Sequence, residues 1–230
     1  MPVDLGLKLL ELTGSRPALS LNDLGSLNQV DSAQLARLTE KGFVRISDGA
    51  LSMDNRQRVT LAEQLIHNGT DPKRVSRFLV WQEFEEFAEH LLRENRFTTH
   101  RHLIFTSSKG RREIDILAWS DTLMLAVDCK HWLRGWARKR IGDAAKAQVE
   151  RVNALAGKPQ LLYRLKVPHP EGRSIIPVIL ALGEAREKMI DGVPIVSVSK
   201  LMSFIYGVSP IDGALARIQV ATPRSQSRIA

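Results

Sequence analysis

Glu113-Ile114-Asp115-Ile116-Leu117-Ala118-Trp119 and Leu123-Met124-Leu125-Ala126-Val127-Asp128-Cys129-Lys130 are two apolar runs that meet at the polar triplet Ser120-Asp121-Thr122. Runs of this length, bounded by turn residues, read as the two strands of a β-hairpin. Each carries an acid where a buried strand should be apolar. With a side-chain period of two, Asp128 and Lys130 share one face of the second strand and Cys129 takes the other. Pairing around the turn brings Asp115 and Asp128 to one end of the sheet. Ionised groups are costly in such a setting unless something neutralises them. Two acids and a lysine converging there suit a divalent-metal site for chemistry on a phosphate.

Upstream of the hairpin, residues 97–106 read as a strand, and Ser107-Ser108-Lys109-Gly110-Arg111-Arg112 as a polar, basic loop. Residues 81–95 are amphipathic. Phe84, Phe87, Ala88, Leu91 and Leu92 follow the spacing of a core-facing helical stripe. Glu83, Glu85, Glu86, Glu89 and Glu94 fill the other positions, most of them on an expected solvated face, with Glu85 at the edge of the stripe. Downstream, residues 131–140 interleave Arg134, Arg138, Lys139 and Arg140 with Trp132 and Trp136. A helix is expected over 143–155, ending at Gly157. Strands follow over 174–182 and 193–198, then a short helix over 199–205.

Residues 1–75 read as a small helical unit. Leu5, Leu7, Leu9, Leu10 and Leu12 predict a helix ending at Gly14, and Leu21, Leu24 and Leu27 a short second one. Asp31 or Ser32 caps a third, which buries Leu35 and Leu38 and stops at Gly42. Apolar runs on either side of Asp48-Gly49 make a second hairpin. Helices over 55–67 and from Asp71-Pro72 complete the unit. Three helices followed by a hairpin resembles a winged helix-turn-helix. A dimerisation or packing module is the alternative, because the third helix mixes Arg37 and Lys41 with Asp31 and Glu40. Residues 221–230 are expected to be a basic tail.

The 230 residues are 43% hydrophobic and 25% charged, the composition of an ordinary folded chain with room for a core. A formal charge of +8 favours a polyanionic partner. One cysteine excludes an internal disulfide framework and fits a reducing compartment. The N-terminus lacks a basic segment followed by an apolar one, and no apolar run is long enough to span a bilayer. These features predict a soluble, cytoplasmic protein.

Helix, strand, hairpin, helix and strand come in the order of the PD-(D/E)xK nuclease superfamily, which the sequence resembles. The likeness is nearest to the Mrr-like restriction endonucleases and the archaeal Holliday junction resolvases. It rests on Phe84-Glu85-Glu86, Phe97, Ile114-Asp115 and Val127-Asp128-Cys129-Lys130-His131-Trp132, and covers roughly residues 80–200. Ile114 stands where the family pattern has proline. The resemblance implies an α/β, restriction endonuclease-like core over 76–220, a central mixed β-sheet flanked by helices, after the winged-helix-like domain. It implies a Mg²⁺- or Mn²⁺-dependent DNA endonuclease for duplex, branched or modified DNA, working as a homodimer.

In that reading Asp115 and Asp128 are metal ligands, the Cys129 main-chain carbonyl is a third, and Glu85 helps to hold the metal. Lys130 orients the attacking water or counters phosphate charge, and Gln148 is the glutamine many relatives carry on the next helix. Backbone contacts to DNA fall to Ser107, Lys109, Arg111 and Arg112 on one side of the site. His131, Trp132, Arg134, Trp136, Arg138, Lys139 and Arg140 serve the other side. Duller readings stand beside these. Asp115 and Lys130 can be a structural ion pair, Glu85 plain helix surface with Glu89 as its substitute, and Gln148 plain helix polarity. A catalytically inactive DNA-binding regulator or scaffold that keeps the fold is the competing function. A zinc site from His100, His102, Cys129 and His131 is disfavoured, since their spacing fits no closed-site pattern.

Overall fold

The computed structural model describes residues 3–15, 18–21, 32–132, 137–208 and 213–222. Two compact units divide the chain, Met1–His90 and Leu91–Ala230. Among the described residues no helix is long and apolar enough to cross a membrane.

The first unit contains α1 (Val3–Ser15), β1 (Ala18–Ser20), α2 (Ser32–Glu40), β2 (Arg45–Ser47), β3 (Ala50–Ser52), α3 (Asn55–His67) and α4 (Pro72–Ser76). It also holds most of α5 (Trp81–Glu94). Asp48 and Gly49 take φ of +51° and +71°, the left-handed pair that a two-residue turn between right-twisted strands requires. The strands form a three-stranded sheet in the order β1-β3-β2. β1 is absent from the sequence expectation because three residues are too few to display a period. The short helix expected around Leu24 and Leu27, and the cap at Asp31, lie outside the described residues. α3 opens with a capping box. The Asp54 side chain accepts from the Gln57 N–H at 2.8 Å, and the Gln57 side chain accepts from the Asp54 N–H at 3.0 Å.

The expected acidic face of α5 is corrected by the structure. Glu83, Glu85 and Glu89 are only 2%, 0% and 7% exposed. Helical period alone does not reveal the partner that permits this for Glu83, because Arg58 lies on another helix. Arg58 Nε donates to Glu83 Oε1 at 2.8 Å, and its other nitrogens donate to the Leu10 carbonyl, Thr13 Oγ1 and the Phe78 carbonyl. The second Glu83 oxygen accepts from the Val80 N–H at 2.9 Å. Both charges are buried and hydrogen-bonded, so removing one strands the other. Glu83→Ala is expected to cost about 3 kcal/mol in a urea titration. The Arg58→Met/Glu83→Leu pair should cost less than either single change, a non-additivity that a double-mutant cycle measures.

The second unit is built on a mixed sheet. Its elements are β4 (Thr98–Ser107), β5 (Gly110–Trp119), β6 (Met124–Lys130), α6 (Arg138–Ala156), α7 (Pro159–Arg164), β7 (Ser174–Ala181), β8 (Met189–Ile190), β9 (Val193–Ser197), α8 (Leu201–Gly207) and β10 (Ile218–Gln219). The sheet has seven strands, ordered β4-β5-β6-β7-β9-β8, with β10 added against β7. β4, β5 and β6 are antiparallel neighbours, whereas β6, β7 and β9 run parallel. The parallel step from β6 to β7 needs a long crossover, which α6 and α7 supply. Their apolar faces, with Val152, Leu155 and Leu162, pack on Leu117, Trp119, Met124 and Ala126 of the sheet. β7 is apolar along nearly its whole length, as a strand covered on both faces should be.

Two further expectations are corrected here. The loop expected at 107–112 is mostly strand: β4 and β5 stay paired to Ser107 and Gly110, so Ser108 and Lys109 alone make the turn. Gly110 has φ of +97°, and Ser107 Oγ accepts from the Lys109 N–H and donates to the Gly110 carbonyl. Arg111 and Arg112 therefore project from a strand. The ladder runs on past the core through main-chain bonds, which a hydrophobic pattern cannot reveal. Similarly, α6 begins at Arg138 rather than at 143, because its first three residues, Arg138, Lys139 and Arg140, are basic and exposed and carry no apolar signal.

Candidate active site

Pairing of β5 with β6 sets Ile116 opposite Val127, Leu117 opposite Ala126 and Ala118 opposite Leu125. The next rung in that register is Asp115 with Asp128, and opposite residues of an antiparallel pair share a face. The main-chain ladder ends one step short of it. Instead, the Cys129 N–H donates to Asp115 Oδ2 at 2.8 Å. On the other side of β5, the β4 ladder pairs Arg101 with Ile116 and Leu103 with Ile114 but omits His102 and Asp115. His102 has φ of +51°, and its Nδ1 lies 3.1 Å from Glu113 Oε1. Asp115 thus sits where both ladders loosen, the kind of local irregularity that re-aims a side chain.

Asp128 is only 2% exposed and carries two cationic partners. Lys130 Nζ lies 2.9 Å from Oδ1 and 2.8 Å from Oδ2. Arg151 Nη1, from α6, donates to Oδ1 at 3.0 Å and to Gln148 Oε1 at 2.8 Å. Gln148 is fully buried, and its Nε2 donates to the Ala126 carbonyl at 2.8 Å. It therefore ties α6 to β6 and holds Arg151 against the acid. Lys130 pairs with Asp128, not with Asp115. Burial, and after it the negative charge of Asp128, push the Asp115 carboxyl up to about 6, against the Cys129 N–H and the charges of Lys130 and Arg151.

That upward shift bears on metal binding. The two adjacent carboxylates resist carrying two negative charges, and a dication relieves this. Among the described residues no three His, Cys, Asp or Glu side chains gather as a cage. A cation at this acid pair would draw on two carboxylates with main-chain and solvent oxygens, a donor set that suits a hard divalent cation.

The remaining residues singled out in the sequence fall as follows. Glu85 lies on α5 in the first unit and is fully buried. Lys109, at the β4–β5 turn, reaches Glu150 of α6 at 3.7 Å and stays largely exposed. Arg111 is exposed and Arg112 half-buried, while Ser107 is engaged in the turn. His131 and Trp132 are half-buried, and the Arg140 guanidinium stands 4.8 Å from the Trp132 ring centre. Arg138, Lys139 and Arg140 are exposed on the first turn of α6, whose N-cap Ala137 offers no side-chain cap. Arg134 and Trp136 lie outside the described residues.

Arg151 is the site residue that the sequence reading misses. Its signal was available, since a residue three beyond Gln148 shares the same helical face.

Residues 77–160 match the model of the Mrr-type restriction endonuclease catalytic domain. An uncharacterized protein of Archaeoglobus fulgidus is 30% identical over 82 residues, which span 34% of this chain and 64% of that protein. Among solved structures, the protein of unknown function AF1548 is 17% identical with a TM-score of 0.31, over 54% of each chain. Protein VC1899 from Vibrio cholerae is 13% identical with a TM-score of 0.37, over 87% of this chain and 49% of that one. The stretch 77–160, which carries Asp115, Asp128, Lys130, Gln148 and Arg151, is similar to the Mrr-type restriction endonuclease catalytic domain, and this match supports a relation to the PD-(D/E)xK restriction endonuclease-like superfamily.

Proposed function

We propose that this protein is a divalent-metal-dependent DNA endonuclease that hydrolyses phosphodiester bonds at the Asp115–Asp128 pair. The observation that carries the proposal is that register-matched pair, with Lys130 two residues on, inside the stretch that matches the nuclease model. Asp115, Asp128 and the Cys129 carbonyl would hold the metal, and the family pattern would add Glu85. Mg²⁺ or Mn²⁺ bound there would supply positive charge for the transition-state phosphate and for activating a water. Lys130, with 26% of its side chain exposed, offers its ammonium to the developing phosphate charge or to the attacking water. Gln148 keeps α6 at a fixed height over β6.

The basic residues serve the DNA backbone. Arg138, Lys139 and Arg140 gain nothing from the dipole at the N-terminus of α6, where anions are favoured. Lys139→Ala/Arg140→Ala should weaken binding to all DNA sequences alike and lower the slope of log K against log salt by about 2. Fluorescence anisotropy at several salt concentrations measures both. The proposed substrate is DNA, whether duplex, branched or modified. A homodimer supplies the two sites that a double-strand cut needs.

The test is a panel of labelled duplex, single-stranded, flap and four-way-junction DNAs incubated with Mg²⁺ or Mn²⁺ and with EDTA. Cleavage of at least one, abolished by EDTA, is the expected result. Binding without cleavage of any substrate in either metal would favour a second reading, a DNA-binding protein that keeps the nuclease fold. One observation lends that reading weight: Asp128 is already countered by both Lys130 and Arg151.

A further inference from the structure

The charges at the site are balanced before any ligand is considered. Asp115 and Asp128 face Lys130 and Arg151, and the bond from Arg151 falls on Asp128 Oδ1, one of the two oxygens that this carboxylate can offer a metal. Arg151 is not essential for tying α6 to the sheet, since Gln148 makes that link itself through the Ala126 carbonyl. Nor is it a surface decoration. Its Nη1 is shared between a buried carboxylate and a buried amide, while about a quarter of the side chain stays open to solvent. A guanidinium keeps its charge at any working pH and holds an oxygen with directed N–H bonds.

We infer that Arg151 is a positioning residue that sets the affinity of the acid pair for divalent cations, by competing for Asp128 Oδ1. The inference rests on the proposed metal-dependent reading and adds a residue to it. A cation that reaches Oδ1 takes that oxygen over from the Arg151 N–H or shares it against like-charge repulsion. Either way, the arginine weakens cation binding. Once turned from Oδ1, it still hangs from Gln148 with its remaining donors available to a phosphate oxygen. Arg151 therefore couples metal entry to the arrival of the polyanion, since DNA offers the guanidinium a substitute acceptor.

The opposing effects make the idea testable without turnover. Isothermal titration of the full chain with Mn²⁺, in the absence of DNA, compares wild type with Arg151→Gln and Arg151→Lys. Arg151→Gln keeps a hydrogen-bonding amide and loses the charge, and it should bind Mn²⁺ on the order of tenfold more tightly. Arg151→Lys keeps the charge and should stay within about twofold of wild type. Arg151→Met carries the same expectation as the glutamine variant should the latter fail to fold. Asp128→Asn, in which Oδ1 is no longer ionised, should lose the Mn²⁺ signal. Unchanged or weaker Mn²⁺ binding in both uncharged variants overturns the inference and leaves the nuclease reading standing. Failure of every protein, wild type included, to bind Mn²⁺ overturns it together with the metal dependence.

Discussion

Asp128→Asn is expected to lower DNA cleavage about a thousandfold or more while leaving DNA affinity within a few-fold of wild type. Asparagine keeps the shape of the side chain and one acceptor for Lys130 or Arg151, so the change removes charge rather than volume. Without that charge, two cationic side chains, each 26% exposed, face one another across a buried amide. The fold should therefore lose stability too, by about 1–3 kcal/mol. Lys130→Met separates the two effects. It takes away one of the two cations on Asp128 and leaves Arg151 in place, so the unfolding midpoint should move little. Cleavage should fall as steeply as in Asp128→Asn, because the ammonium that the proposed reading assigns to the phosphate or the attacking water is gone. Gel assays on labelled DNA give cleavage, anisotropy gives binding, and urea titration gives stability. Wild-type cleavage by both variants would remove the acid pair from the active site.

The contrast between these two variants bears on what the sequence makes legible. The hairpin around Ser120-Asp121-Thr122, the placement of Asp115 beside Asp128 and the run of α6 through Gln148 follow from strand alternation and helical period. Those signals report which side of an element a residue takes. They do not report which charged groups from different elements meet. Lys130 pairs with Asp128 on its own strand, and Arg151 arrives from a helix 23 residues later in the chain. Burial of Glu83 depends in the same way on Arg58, 25 residues earlier. The β4–β5 turn and the start of α6 escape for a different reason. Both are polar extensions of regular elements past the core, held by main-chain hydrogen bonds that no apolar pattern marks. β8 and β10 are two residues each, a single period and too short to display alternation.

Asp115→Asn should cross wild type in stability as pH and metal change, and this second large effect follows from the cost of the acid pair. Folding raises the Asp115 carboxyl from an ordinary 3.8 to about 6, through burial first and the Asp128 charge second. Above pH 6 the native protein carries a charge that its surroundings disfavour. Between 6 and 3.8 it takes up the proton while the unfolded chain still does not. The stabilisation due to protonation is therefore complete below 3.8 and is lost as pH rises through 6. Asparagine has no such charge to carry, and it can still accept from the Cys129 N–H. In EDTA at pH 8, Asp115→Asn should be the more stable protein. Two pH units would convert to nearly 3 kcal/mol, and partial exposure of the carboxylate reduces this to about 1–2 kcal/mol. The gap should close as pH falls through 6 and vanish near 4. Added Mn²⁺ should reverse the order at pH 8, because only wild type retains the full ligand pair and gains from binding. Cleavage should behave inversely to metal-free stability. It should be lost about a thousandfold in Asp115→Asn, and in wild type it should decline below pH 6 as the proton competes with the metal for the carboxylate. Thermal melts of both proteins from pH 4 to 8, with EDTA and with Mn²⁺, test the whole pattern. Lower stability of Asp115→Asn at pH 8 in EDTA would mean that this carboxylate supports the fold instead of burdening it.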